Sequence, residues 1–280
     1  MSDNNFTLAY IKKYAALLQK NDIDNGQQEL IWYLEDQQLL TKEQLYINES
    51  ILSPKIKTSI QKYYDLRKNH KPYQYIINTA SFYGRDFYVD YRVLIPRPET
   101  EQMIEVLKRN TNSFYSCLDI GSGSGCLAIT IALEKIASKI TASDISADCL
   151  DVIKINAVNH NIQNIDFIQH DILNDDFNQQ FDLIVSNPPY VTNSEYKALP
   201  KHIKDFEPKI ALTDQDDGLV FYKRFASILN KLLMPKGVFV CELGTKSLIP
   251  SIKNIFIKHG YHVVLYADLN GDQRFLMISL

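Results

Sequence analysis

The stretch Leu118-Asp119-Ile120-Gly121-Ser122-Gly123-Ser124-Gly125 follows an apolar run with strand character (115–120) and precedes the apolar segment Cys126 to Ile136. Glycines at alternate positions let the backbone turn sharply and approach a ligand closely, and the helix behind them offers free N–H groups. The spacing is G-x-G-x-G and not the G-x-G-x-x-G of dinucleotide sites. On the far side, Asp144 ends the next strand-like run, where a carboxylate can accept from two ribose hydroxyls. Together the glycine loop and Asp144 indicate a nucleoside-bearing cofactor.

Outward from this point, strand-like and helix-like stretches alternate. Strands are expected at 115–120, 139–143, 165–169, 182–186, 237–242, 262–267 and 274–279, with helices near 100–110, 125–137, 146–160, 217–233 and 247–259. The expected fold is α/β: a doubly wound, seven-stranded, mostly parallel sheet with ligands at the carboxyl ends of its strands. Only Asp268 to Asp272 join the last two strands, so the final strand should run antiparallel. Residues 1–74 pattern as a small helical domain. Aromatic and β-branched residues around Gly84 suggest a linking β-hairpin over 75–95, built from Tyr75-Ile76-Ile77, Phe87-Tyr88-Val89 and Val93-Leu94-Ile95. The cofactor domain is then 96–280.

Composition excludes several classes. The chain has 280 residues, 45% hydrophobic and 22% charged with net charge −3, which fits a folded globular protein and not a disordered one. Its four cysteines show no C-x-x-C pair and its six histidines no ligand spacing, so no metal site and no disulfide framework are expected. No basic leader and no membrane-length apolar run is present, and a cytoplasmic monomer is expected. Residues 1–95 carry 12 Lys and Arg against 11 Asp and Glu, which argues against specific nucleic-acid binding.

A second motif, Asn187-Pro188-Pro189-Tyr190, follows the strand-like run ending at Ser186. Two prolines impose a stiff bend and leave the Pro188 carbonyl without a competing ladder. The Asn187 side-chain oxygen is a second acceptor beside it. Two adjacent acceptors suit a planar NH2 group, and Tyr190 offers a face against the group that carries it.

Asn187-Pro188-Pro189-Tyr190 beside Asp119-x-Gly121-x-Gly123-x-Gly125 resembles the class I S-adenosylmethionine-dependent methyltransferases that act on planar amino groups. Leu94-Ile95-Pro96-Arg97-Pro98-Glu99-Thr100-Glu101 is similar to the signature of the peptide chain release factor glutamine methyltransferases, often called PrmC or HemK. Phe82-Tyr83-Gly84, Phe206-Glu207-Pro208 and Asp268-Leu269-Asn270-Gly271 extend the likeness over nearly the whole chain. Two departures are Asn78, where relatives often carry glycine, and Ile172, where a bulky residue often flanks the adenine.

The resemblance implies an enzyme of translation termination that moves a methyl group from S-adenosylmethionine to the side-chain amide nitrogen of the glutamine in the Gly-Gly-Gln motif of class 1 release factors. The 1–74 domain would recognise that partner. The cofactor set it implies is Asp119, Gly121, Ser122, Gly123, Ser124, Gly125, Asp144, Asp171, Ile172 and Asn187, with Asp119 bracing the loop. Asp171 could equally cap the following turn, and Ile172 could be core. Asn187, Pro188, Pro189 and Tyr190 would hold the substrate amide and carry catalysis; Arg97 and Glu99 are substrate-side candidates only by their position next to the domain joint. An amino-methyltransferase of nucleic-acid bases, or of a ribosomal-protein glutamine, shares the N-P-P-Y loop and is the alternative.

Overall fold

The computed structural model describes residues 6–47, 52–110 and 113–280. It divides into two compact units, Met1–Asn78 with Lys201–Phe206, and Thr79–Pro200 with Glu207–Leu280.

The first unit is helical: α1 (Thr7–Gln19), α2 (Gly26–Asp36), α3 (Lys42–Ile47), α4 (Pro54–Arg67) and α5 (Tyr73–Ile77). Helix α4 shows why these residues fold so. Ser53 caps it by accepting from the Ile56 N–H at 3.2 Å, Pro54 opens it without wasting a donor, and Ile56, Ile60 and Tyr63 recur on one buried face. Inside this unit Glu29 accepts from the Tyr63 hydroxyl at 2.6 Å and pairs with Arg67 at 2.8 Å, which compensates a largely buried carboxylate.

The expected hairpin is shorter than 75–95. Tyr75-Ile76-Ile77 lies in α5, because Pro72 starts a helical turn there and Tyr73, Ile76 and Ile77 pack on the apolar core of the first unit. Packing overrides the β-preference of these side chains. Asn78 ends the helix in the left-handed region (φ 56°), a conformation asparagine adopts more readily than other residues except glycine. The hairpin proper is β1 (Thr79–Phe82) and β2 (Arg85–Tyr88), turned by Tyr83 and Gly84, both at positive φ as a primed two-residue turn needs. Val93-Leu94-Ile95 form no strand; the chain there runs through a turn closed by the Val93 N–H on the Asp90 carbonyl.

The second unit then continues with α6 (Pro98–Asn110), β3 (Phe114–Ile120), α7 (Cys126–Leu133), β4 (Ala137–Asp144), α8 (Ala147–Asn159), β5 (Ile165–Gln169) and β6 (Phe181–Ser186). Short helices α9 (Asn193–Ala198) and α11 (Lys209–Leu212), with α10 (Lys201–Lys204) of the first unit between them in the chain, lead to α12 (Val220–Leu232), β7 (Leu233–Glu242), α13 (Ile249–Lys258), β8 (His262–Ala267) and β9 (Gln273–Ser279). The sheet order is β5-β4-β3-β6-β7-β9-β8, with β9 antiparallel to both neighbours. All seven strands expected in this sheet form, and the antiparallel last strand is borne out. Helix α7 stops at Leu133, short of the expected 137, because Lys135 turns into the left-handed region and Ala137 already enters β4.

From β3 the chain steps outward through β4 to β5, then returns to place β6 on the other side of β3. The carboxyl ends of β3 and β6 therefore flank the point where strand order reverses, the crevice in which open α/β sheets bind ligands. The glycine loop follows β3 and the Asn-Pro-Pro-Tyr segment follows β6.

Candidate active site

A cavity of about 470 Å³ opens at this switch point. Gly121, Gly123, Asp144, Asp171, Ile172, Asn187, Pro188 and Pro189 all line it, so most of the expected site residues converge. A second space of about 50 Å³ adjoins it, lined by Arg97, Thr100, Asp119, Ser122, Ser124 and Asn187 among others.

The three glycines divide by role. Gly121 and Gly123 sit at φ 72° and 55°, and a Cβ on either would meet no neighbouring protein atom, so the bare backbone faces open space at the cavity wall. Gly125, at φ 79°, is different: a Cβ there would lie 2.8 Å from Ile153 Cγ2. Its lack of a side chain serves the packing of α7 against α8, and it lines neither space.

Asp144 organises the loop. Its Oδ2 accepts from the Gly123 N–H at 2.9 Å and its Oδ1 from the Ser146 N–H at 3.0 Å. Burial raises its pKa, and those backbone donors hold it down. The Asp119 carbonyl accepts from the hydroxyls of Ser122 and Ser143, each at 3.0 Å. Bracing thus comes from the Asp119 backbone, while neither of its buried carboxyl oxygens has a partner in hydrogen-bond geometry. Burial pushes that carboxyl up to about 7, the Asp144 charge adds to the shift, and Ser122 and the Ala128 N–H oppose it. Asp119 binds its proton more tightly folded than unfolded, so stability is lost as pH rises from its unfolded pKa of about 3.9 through 7. We expect Asp119→Asn to be more stable than wild type by roughly 2–4 kcal/mol at pH 8 and equal at pH 4, checked by chemical denaturation of ligand-free protein. A margin independent of pH sinks the assignment.

Asn187 Nδ2 donates to the Thr100 hydroxyl at 3.1 Å, and that hydroxyl donates to Glu242 Oε2 at 2.7 Å. Tyr190 does not line the cavity. Its hydroxyl points to Glu242 Oε1 at 3.3 Å, its ring packs against Gly244, and burial raises its pKa. The expected stacking face is therefore turned into the protein, where it props the loop. Gly218 (φ 78°) supports the same loop, since a Cβ there would lie 2.6 Å from the Tyr190 carbonyl oxygen.

Arg97 is committed elsewhere: its Nη2 pairs with buried Glu207 at 2.6 Å, and Glu207 also accepts from the Ile95 N–H at 3.1 Å. Glu99 is exposed in the first turn of α6 and lines neither space. Asp171 lines the cavity yet also caps its own turn, accepting from the Leu173 N–H at 3.0 Å and Asn174 Nδ2 at 2.7 Å. Ile172 is buried and belongs to a core cluster while touching the cavity.

Sequence patterns gave no reason to single out three further groups. His170 lines the cavity, stacked on Phe177 at 3.8 Å, with both ring nitrogens buried and unpaired. Asn156, fully buried on α8, bonds Tyr88 at both its N–H and carbonyl and donates to the Ser124 carbonyl at 2.8 Å, tying the hairpin to the glycine loop. Glu242 is the third. Among the described residues no cluster of three or more His, Cys, Asp or Glu fits a metal ion, and no helix is long and apolar enough to cross a membrane.

Residues 98–205 match the family model described as methyltransferase small domain. The chain is 34% identical over 252 residues to the bifunctional methyltransferase of Rickettsia bellii, covering 79% of this chain and 45% of that one; it spans about half the length of the bifunctional relatives it matches. A methyltransferase structure from Pyrococcus furiosus superimposes with a TM-score of 0.54 at 20% identity, over 71% of this chain and 90% of that one, and so shares the fold. The chain is 36% identical over 236 residues to the release factor glutamine methyltransferase of Streptococcus pneumoniae, covering 83% of this chain and 84% of that one. To the protein of the same name from Clostridium acetobutylicum it is 33% identical over 269 residues, covering 90% of each. With matches running nearly the full length of both partners, and with the glycine loop and the Asn-Pro-Pro-Tyr turn meeting at one crevice, the chain belongs to the release factor glutamine methyltransferase family.

Proposed function

We propose that this protein transfers a methyl group from S-adenosylmethionine to the side-chain amide nitrogen of the glutamine in the Gly-Gly-Gln motif of class 1 peptide chain release factors, in the cytoplasm where translation ends. The observation that carries the proposal is the state of Asn187: its Nδ2 is held by Thr100, and among the described residues no donor reaches its Oδ1.

The residues fit the cofactor. Gly121 and Gly123 present bare backbone at the wall, Asp144 offers its remaining lone pairs to a ribose diol, and Asp171, Ile172 and His170 give a mixed polar and flat apolar end suited to an adenine. Asp119, whose carboxyl is orphaned, is among the residues lining the small neighbouring space, where a cationic ammonium would relieve its charge. S-Adenosylmethionine supplies, when bound, a methyl group on a positively charged sulfur.

An amide nitrogen is a weak nucleophile, since its lone pair is shared with the carbonyl. No acid or base is demanded by the first step; placement is. Asn187 Oδ1 and the Pro188 carbonyl would accept the two amide N–H bonds and aim the nitrogen, a proximity effect worth several kcal/mol. Positive charge grows on nitrogen as its bond to the methyl forms and the methyl–sulfur bond breaks, and fixed acceptors stabilise it more than the neutral amide. The methylated nitrogen, now strongly acidic, gives one N–H proton to solvent. Tyr91 and Ile210, both exposed at the cavity rim, offer apolar contact to a flanking peptide. Among the described residues none of the helical first unit lines the cavity, and that unit is the proposed grip on the rest of the release factor.

The test is transfer of labelled methyl to purified release factor, with a Gly-Gly-Ala variant of that factor and total RNA and DNA as controls. Label on wild-type release factor alone is expected. Label on nucleic acid, or on the Gly-Gly-Ala variant, overturns the proposal.

A further inference from the structure

We infer that Thr100 and Glu242 are positioning residues that set which end of the Asn187 amide faces the substrate. The inference rests on the function proposed above and deepens it, naming groups that lie outside the Asn-Pro-Pro-Tyr turn.

Proton counting carries it. A threonine hydroxyl has one proton to give, and an ionised carboxylate gives none. Thr100 Oγ1 lies 2.7 Å from Glu242 Oε2 and 3.1 Å from Asn187 Nδ2. The single hydroxyl proton therefore goes to Glu242, and Thr100 is left as a pure acceptor toward Asn187. Asn187 has to answer with its NH2, which leaves its carbonyl oxygen for the cavity. Thr100 and Glu242 are 3% and 1% exposed, so water does not substitute for either partner. The opposite amide orientation would set two lone pairs against each other across a dry contact and would offer N–H donors to a substrate that also offers N–H donors. Asparagine flips cost little in water; here the relay removes the choice.

Glu242 is fixed from several sides. Thr100 and Glu99 face it from α6, Tyr190 from the turn after β6, Arg274 from β9, and its own carbonyl accepts from the Tyr222 hydroxyl of α12 at 3.0 Å. Burial pushes its carboxyl up to about 7, while the Thr100 hydroxyl, Arg274 and Tyr190 oppose the rise and the Glu99 charge adds to it. Once protonated, Glu242 can donate to Thr100, the hydroxyl proton is released toward Asn187, and the amide is free to invert. The sign follows: the relay is set above pH 7 and lost as pH falls through it.

The experiment compares wild type with Thr100→Val, Thr100→Ser and Glu242→Gln at saturating S-adenosylmethionine, so that Asp119, which acts on cofactor affinity, does not enter. Thr100→Val is expected to lower kcat about 10- to 100-fold, the scale on which metal sites lose activity when the partner orienting a ligand is removed, with cofactor affinity within about threefold. Thr100→Ser restores most of the rate. Wild-type kcat falls on the acid side of pH 7, and Glu242→Gln, with an amide that does not titrate, loses that limb. A second readout needs no substrate: with nitrogen-15 asparagine, the Asn187 side-chain NH2 resonance of the wild type should shift with a midpoint near pH 7 and stay constant in Glu242→Gln. A Thr100→Val enzyme at wild-type kcat, or an acid limb or resonance shift that persists in Glu242→Gln, overturns the relay. Should Thr100→Val not fold, the serine variant and the two pH measurements decide. Failure of wild type to methylate release factor overturns the proposed function instead, and the resonance measurement still judges the relay.

Discussion

Asn187→Ala is expected to reduce kcat by about 10²–10³-fold, the magnitude seen when a single preorganised hydrogen-bond partner of the transition state is removed. Cofactor affinity should stay within a few-fold of wild type. The alanine keeps the backbone of the turn, and Pro188 and Pro189 keep it stiff, so the loss is confined to one acceptor and the aim it gives. Asn187→Asp is the sharper variant. It retains an acceptor for the substrate, yet its second oxygen faces a Thr100 hydroxyl whose proton is already given to Glu242. Two lone pairs then meet in a buried contact, so aspartate should be no better than alanine above pH 7. Calorimetric titration of cofactor beside a single-turnover methyl-transfer assay separates binding from chemistry. An alanine variant with near-normal turnover removes Asn187 from the mechanism.

The contrast between what was legible beforehand and what was not follows sequence distance. The glycine loop and the Asn-Pro-Pro-Tyr turn each carry their chemistry in a few contiguous residues, and the alternation of strands and helices brings both to the switch point by topology alone. Thr100 sits in the first turn of α6, and nothing beside it in the chain marks it as part of the site. Its partners Asn187 and Glu242 are 87 and 142 positions away, and the Arg97–Glu207 pair spans 110. No local pattern reports such contacts, so nothing near Arg97 in the chain announces its pairing with a buried carboxylate. Gly125 makes the same point within one motif: its need for glycine is set by Ile153 on another helix, and nothing in G-x-G-x-G separates that packing demand from a ligand's approach. Tyr75 to Ile77 failed for the complementary reason, as their β-preference is a statement about surfaces to pack on, and the available surface was helical.

Asp144→Ala is expected to weaken S-adenosylmethionine binding by about 100-fold, with kcat at saturating cofactor changed only a few-fold. The magnitude combines two losses. The charge-assisted bonds to a ribose diol go, at roughly 1.5–3 kcal/mol for a hydrogen bond to a charged group. The Gly123 and Ser146 N–H groups also lose their acceptor, at 2.9 and 3.0 Å in the intact loop, so the glycine turn is no longer held in the shape that meets a ligand. Asparagine does not repair this. Both carboxylate oxygens of Asp144 accept from backbone donors, and an Nδ2 in either place would point a donor at a donor in a buried site. Asp144→Asn should therefore bind nearly as poorly as alanine. Because burial raises the Asp144 pKa above the usual aspartate value, wild-type affinity should also decline on acidification earlier than an exposed carboxylate would dictate. Isothermal titration of cofactor into the three proteins across pH checks both statements, and an asparagine variant that binds within threefold of wild type assigns the ribose-binding role to another residue.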